Sequence, residues 1–181
     1  MPTPRLITEQ EFRSSRYGQV ADQVEGRLSD IIVQAEDYIE RTLDRTLTVT
    51  TYTELHRPRL DRIFLHQRPI VSLITIRRRT NVRDPWVPLD LTTFELEEQG
   101  RIGVILSLID NIAGYEVEVT YQAGFVTIPS DLKAAVILQT VIFAYQDLEV
   151  YGAGDGRPPG IRYLQDDVDR LLRPYSLVKI L

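Results

Sequence analysis

Three carboxylates, Asp166, Asp167 and Asp169, sit close together and are flanked by Arg162, Arg170 and Arg173. Two carboxylates on one helical face could serve acid–base or metal chemistry. A solvated helix face is the commoner outcome, and an acidic wall facing a channel, repelling DNA, is a third reading. The only histidines, His56 and His66, both lie in segments with strand patterning. A zinc site wants three or four ligands, and there is no other His and no Cys to complete one, so polar strand faces are the plainer reading. Gly152-Ala153-Gly154-Asp155-Gly156 looks superficially like a phosphate loop. Such a loop needs a strand before it and a helix N-terminus after it, usually with Lys and Ser or Thr. Here a helical pattern precedes it and Arg157-Pro158-Pro159 follows, which reads as a helix stop and a loop. Arg77-Arg78-Arg79, with Arg83, is the densest basic run. On a strand Arg77 and Arg79 share one face. Phosphate binding is one reading; a polar hairpin tip, or a salt-bridge strip against a neighbouring subunit's acidic face, fits better. Ser/His/Asp and Lys/Asp pairings show no local signature. The chain therefore reads as non-enzymatic, with no catalytic, cofactor or metal site.

The bulk numbers agree. At 181 residues the chain is long enough for one domain with a core, or one domain carrying an insertion. Hydrophobic content of 43% and charged content of 26% are ordinary for a globular protein. No apolar run is long enough for a membrane span, and MPTPRLITEQEF lacks a signal core. The net charge of −5 disfavours a general nucleic-acid binder. Of 21 Lys and Arg only Lys133 and Lys179 are Lys. Arg suits interface ion pairs, though a GC-rich genome gives the same bias.

Three blocks must position these residues. Residues 1–45 are helical. Thr8 with Glu11 is a capping-box pattern. A longer helix follows over about Val20–Arg45, with Val20, Val24, Leu28, Ile31, Ile32, Ala35, Tyr38, Ile39 and Leu43 on one stripe. Gly26 weakens its middle by ~1 kcal/mol relative to Ala, which leaves room for a break there. Residues 46–122 are β: Thr46–His56, Arg62–His66, Ile70–Arg79, Trp86–Leu89, Thr93–Glu98, Arg101–Leu106 and Tyr115–Tyr121 are strands by alternation and β-branched content. Gln99-Gly100 is a hairpin signal. The product is a small antiparallel sheet, folded over or partly closed, inserted between helices. Residues 123–181 are helical again. Gly124 supplies the turn, Pro129 delays the helix start, and Ser130 is its expected N-cap with Asp131 in the first turn. From Ala134 to Tyr145 only Gln139 and Thr140 are polar, so this helix must be covered on most sides. Ile161–Arg173 is a shorter amphipathic helix ended by Pro174. The fold class is α+β: a helical body of long N- and C-terminal helices with an inserted antiparallel β domain.

The order of these features resembles the head–tail connector, or adaptor, family of long-tailed bacteriophages. The matches are A-E-x-x-I-E-R, read here as Ala35-Glu36-Asp37-Tyr38-Ile39-Glu40-Arg41; RPIVSL at Arg68–Leu73; FELEEQGRIGVI at Phe94–Ile105; V-T-Y-x-A-G-F at Val119–Phe125; P-x-D-L-K-x-A from Pro129; and L-L-x-P-Y at Leu171–Tyr175. They run in order from Leu28 to Ser176. The first stretch departs, since family members often begin closer to the first helix.

The resemblance implies a structural virion protein at the head–tail junction, assembled in the host cytoplasm. It implies a homo-oligomeric ring, usually a dodecamer, that joins the portal protein to a stopper or tail-completion protein. Genomic DNA passes through without sequence-specific binding, and no membrane or cofactor is involved. On this reading Val136, Ile137, Val141 and Phe143 serve core and subunit contacts. Leu177, Val178, Ile180 and Leu181 dock on the portal, so deleting Ser176–Leu181 abolishes portal binding and leaves folding intact. Asp166, Asp167 and Asp169 face the channel or a partner. The alternatives are another neck component (a stopper or tail-completion protein), a small hydrolase or nucleotide-binding protein using the Asp-rich helix and the Gly loop, and a DNA-binding accessory protein centred on Arg77–Arg79.

Overall fold

The computed structural model describes residues 5–24, 26–96, 104–107, 112–150 and 161–176. The chain forms two compact units: a helical one from Met1–Arg45 with Ile128–Leu181, and a β unit, Thr46–Thr127. The architecture is mixed helix and antiparallel sheet.

In the helical unit, α1 (Glu9–Arg13) starts on the expected capping box. The Thr8 hydroxyl accepts the Glu11 N–H at 3.1 Å and the Glu11 carboxylate accepts the Thr8 N–H at 2.7 Å, so two orphan donors are satisfied reciprocally. The expected single helix over Val20–Arg45 is instead two, α2 (Val20–Gln23) and α3 (Leu28–Leu43). Gly26 takes a left-handed φ of +78°, which ends one helix before the next begins. α3 buries Leu28, Ile31, Ile32, Ala35, Ile39 and Leu43 on one stripe. It stops at Asp44, in the left-handed region with φ 53°, a conformation that Asp tolerates better than most residues.

α4 (Ser130–Val150) packs against both α3 and α5 (Ile161–Leu172). That double cover is why its apolar positions need not form one stripe. Leu132, Ala135, Val136, Leu138, Val141, Ile142 and Ala144 are all buried. The two polar residues at its centre are buried as well, and the Thr140 hydroxyl donates back to the Val136 carbonyl at 2.8 Å. Ser130 is not the cap: it is already helical, and the Pro129 carbonyl accepts the Lys133 N–H at 3.0 Å. α5 is amphipathic, with Val168 and Leu172 buried and Tyr163, Asp166, Asp169 and Arg170 exposed. A 3-10 turn, Arg173–Tyr175, follows it.

The β unit holds two sheets. β1 (Thr50–His56), β7 (Glu116–Ala123), β3 (Ile70–Arg79) and β4 (Val87–Pro88) form one, in that order. β2 (Arg62–Phe64), β6 (Val104–Ser107) and β5 (Phe94–Leu96) form the other. All these pairings are antiparallel. A shared core of Ile63, Phe94 and Ile105 with Ile70, Ile76, Val117, Val119 and Tyr121 joins the sheets. β3 slips register twice, between Ile70 and Ser72 and between Leu73 and Thr75. Gly124 closes the unit. Its φ is +127° and an added Cβ would lie 2.4 Å from the Thr48 carbonyl oxygen.

Candidate assembly site

The segments Ala35–Arg41, Pro129–Ala135 and Leu171–Tyr175 lie in the helical unit and supply two of its joints. Glu36, fully buried, accepts the main-chain N–H groups of Arg5, Leu6 and Ile7 at 2.9, 2.6 and 3.2 Å. The Arg5 guanidinium then reaches Asp37 at 2.5 Å and Glu40 at 3.1 Å. One turn of helix thus straps the segment before α1 onto α3. A second joint forms at the start of α4. Asp131 accepts the Leu132 N–H at 3.1 Å and the Tyr175 hydroxyl at 2.7 and 2.8 Å. Arg45 donates to the Tyr175 carbonyl at 2.5 Å and lies over its ring. Burial and the Asp131 carboxylate push the Tyr175 hydroxyl up to about 12. Lys133 pairs with Glu11 at 2.6 Å, tying α4 to α1.

In the β unit the two histidines converge on Glu54. His56 Nε2 lies 3.0 Å and His66 Nδ1 2.9 Å from Glu54 Oε2. The Tyr121 hydroxyl donates to Glu54 Oε1 and accepts the Gln67 N–H at 3.1 Å. Burial by itself raises the Glu54 carboxyl; hydrogen bonds from His56, Tyr121 and His66 outweigh it and hold the group at about 2. Among the described residues no group of three or more His, Cys, Asp or Glu is arranged to hold a metal ion.

The basic run is compensated. Arg77 pairs with Glu118 and Arg79 with Glu116, both at 2.6 Å. Their guanidiniums lie 5.1 and 4.3 Å from the Trp86 ring centre, within cation–π range. Arg78, on the opposite face, stacks on Tyr115. The strip expected against a neighbour's acids is filled by this chain's own β7.

The sequence-derived contact residues divide. Val136 and Val141 lie inside the chain's own core, which leaves them no surface for a subunit contact. Ile137 and Phe143 are half-buried, and Phe143 meets Tyr38 edge-on with ring centres 5.8 Å apart. Ile137 borders a surface hollow of about 320 Å³ with Tyr17, Leu138 and Leu171. Asp167 is taken up by Arg170 at 2.8 Å, Asp169 accepts from Gln165 at 3.1 Å, and Asp166 is exposed. They do not converge as an acid pair. Leu177, Val178, Ile180 and Leu181, the Gly152–Gly156 loop and the Gln99-Gly100 turn lie outside the described residues.

The model of the head completion protein family matches residues 5–154. The chain belongs to the head completion protein family. Solved structures similar to this family member are neck and virion proteins of gene transfer agent (GTA) particles. One is from the neck of an empty GTA particle computed with C6 symmetry: 19% identity, 97% of this chain and 92% of that one, TM-score 0.63. Another is from the neck of a native GTA particle computed with C12 symmetry: 20% identity, 98% and 96%, TM-score 0.60. A third is from the virion of a native GTA particle: 19% identity, 100% and 95%, TM-score 0.60. At such identities the likeness is one of fold. No curated protein matches the chain.

Sequence reasoning missed Glu36 and Glu54 as organising acceptors in this head completion protein. Glu36 was signalled: a carboxylate on the apolar stripe of α3 demands buried donors. Glu54 carried no such signal, because its partners come from three separated segments.

Proposed function

We propose that the chain is a non-catalytic subunit of a homo-oligomeric ring at the head–tail junction of a phage-like particle. It joins the portal to the stopper or tail-completion protein and continues the DNA channel. Membership of the head completion family over residues 5–154 carries this reading. The C12 and C6 symmetry of the GTA necks that share the fold supports a closed ring, and the C12 neck favours twelve copies. In this ring residues 1–45 and 123–181 form the body and 46–122 an inserted β domain. Leu177, Val178, Ile180 and Leu181 dock on the portal. Ile137 and Phe143, the half-buried members of their group, supply subunit contacts. DNA passes through without sequence-specific binding, in keeping with the net charge of −5 and the neutralised Arg77–Glu118 and Arg79–Glu116 ladder.

Electron microscopy of the purified chain, alone and mixed with portal rings of the same particle, tests the proposal. A ring, or a collar added to the portal, is the expected result. A chain that stays monomeric and ignores the portal overturns it.

A further inference from the structure

We propose that the connection between β1 and β2 of one copy receives the exposed face of α5 from a neighbouring copy. This rests on the ring reading above and names the surfaces that close it.

The β side is a hollow of about 340 Å³ whose walls include Arg57, Pro58, Arg59, Leu60, Arg62 and Phe64. Leu60 is 63% exposed and Phe64 60% exposed, so two large apolar side chains stand in solvent beside three arginines. Arg57 reaches Glu116 at 3.3 Å. The side chains of Arg59 and Arg62 have no hydrogen-bond or ion-pair partner among the described residues.

The α5 side is complementary. Tyr163, Asp166 and Asp169 are spaced by three and so share one helical face. Tyr163 is 75% exposed, and both acids are exposed. Asp166 has no partner among the described residues, and Asp169 accepts only from the neutral Gln165 amide. Asp167 is turned instead to Arg170. Two guanidiniums on one patch thus match two carboxylates on another, none of the four having a charged partner among the described residues, and each patch carries an exposed aromatic. Arg–carboxylate forks give strong, directional bonds, and Arg with Tyr and Phe is the composition of interface centres.

A duplex phosphate backbone would also satisfy the arginines. It has no use for Leu60 and Phe64, and the chain's net charge of −5 opposes it. A contact between two different patches of identical copies is heterologous, the kind that closes into a ring when the rotation allows.

Two variants and their mixture test this. R59E/R62E alone and D166R/D169R alone each place like charges opposite one another. Each is expected to lower the ring fraction by about tenfold or more. Mixed, the two variants present opposite charges at every junction and recover wild-type rings. The chain has no cysteine, so a variant carrying L60C and Y163C reports the contact on its own. On oxidation of wild-type-like rings it should give a ladder of covalent multimers. Wild-type rings without that ladder, or rings formed unchanged by each charge variant alone, overturn this pairing and leave the ring reading standing. No rings from the wild type sink the ring reading and the pairing together. If R59E/R62E assembles normally yet loses salt-sensitive binding to duplex DNA, the hollow serves DNA and the pairing is wrong.

Discussion

Glu36 holds three main-chain donors on one carboxylate with no access to solvent. A buried charge persists only where its hydrogen bonds are filled. Removing it by Glu36→Ala leaves the N–H groups of Arg5, Leu6 and Ile7 unpaired, and is expected to cost about 3 kcal/mol. The urea midpoint of the helical signal measures this; a midpoint equal to the wild type's would show that the strap contributes nothing. Glu54 is the acid-sensitive counterpart in the β unit. Its carboxyl is held at about 2 against an ordinary 4.5. A group depressed in this way stabilises the fold fully above its unfolded value, and that stabilisation is lost as pH falls toward 2. Its side chain is only 14% exposed, so the contribution is on the order of 3 kcal/mol. Acid titration followed by fluorescence of Trp86, the only Trp, should show Glu54→Gln less stable at neutral pH and flatter than the wild type between pH 4.5 and 2. Parallel acid curves for the two would refute the assignment.

At the scale of elements, the decisive constraint is the end of β7. Gly124 pairs a left-handed φ with a backbone approach that leaves no room for a Cβ. Its N–H donates to the Pro69 carbonyl at 2.9 Å, and the next residue, Phe125, donates to Leu47 at 2.8 Å. Gly124→Ala is therefore expected to destabilise the β unit by roughly 2 kcal/mol, lowering its thermal midpoint; an unchanged melt would mean that the turn relaxes freely. This turn was legible because Gly after an alternating strand has few other uses. So were the Thr8–Glu11 cap and the extent of β3, features that the local chain decides, whereas Gly26, whose weakness was visible, was expected to sit within one helix and instead divides two. The cap of α4 was not legible. Ser130 is already helical, and the partner of Asp131, the Tyr175 hydroxyl 44 positions away, is one that the local sequence does not name. Strand order was equally hidden. β1 pairs with β7 across the whole unit, and alternation names a strand's faces without naming its neighbour. His56 lies two residues from Glu54 on β1, but His66 and Tyr121 reach it from elsewhere in the unit, so strand patterning alone left the histidines as isolated polar residues.

At the scale of the molecule, two units with separate cores divide the labour of a head completion protein. The β unit presents Arg59 and Arg62, which have no partner among the described residues, beside exposed Leu60 and Phe64, while the helical unit spends its apolar surface on α4, which packs against α3 and α5. Val136 and Val141 are buried in the subunit's core, and the proposed subunit contacts therefore fall to Ile137, Phe143 and the periphery. The docking role proposed for Leu177, Val178, Ile180 and Leu181 can be tested without disturbing Ser176, whose own bonds belong to the helical unit. The Ser176 N–H donates to the Leu172 carbonyl at 3.1 Å and its hydroxyl donates to the same oxygen at 3.3 Å. A truncation should therefore spare Ser176, where the sequence alone suggested removing it. Deleting residues 177–181 keeps the Tyr175–Asp131 and Arg45 bonds that join α3, α4 and the turn after α5. The truncated chain is expected to melt at the wild-type temperature and to lose portal binding in a sedimentation assay with portal rings. Undiminished portal binding would sink the docking role. A lowered melting temperature would show instead that these five residues are part of the subunit's own core.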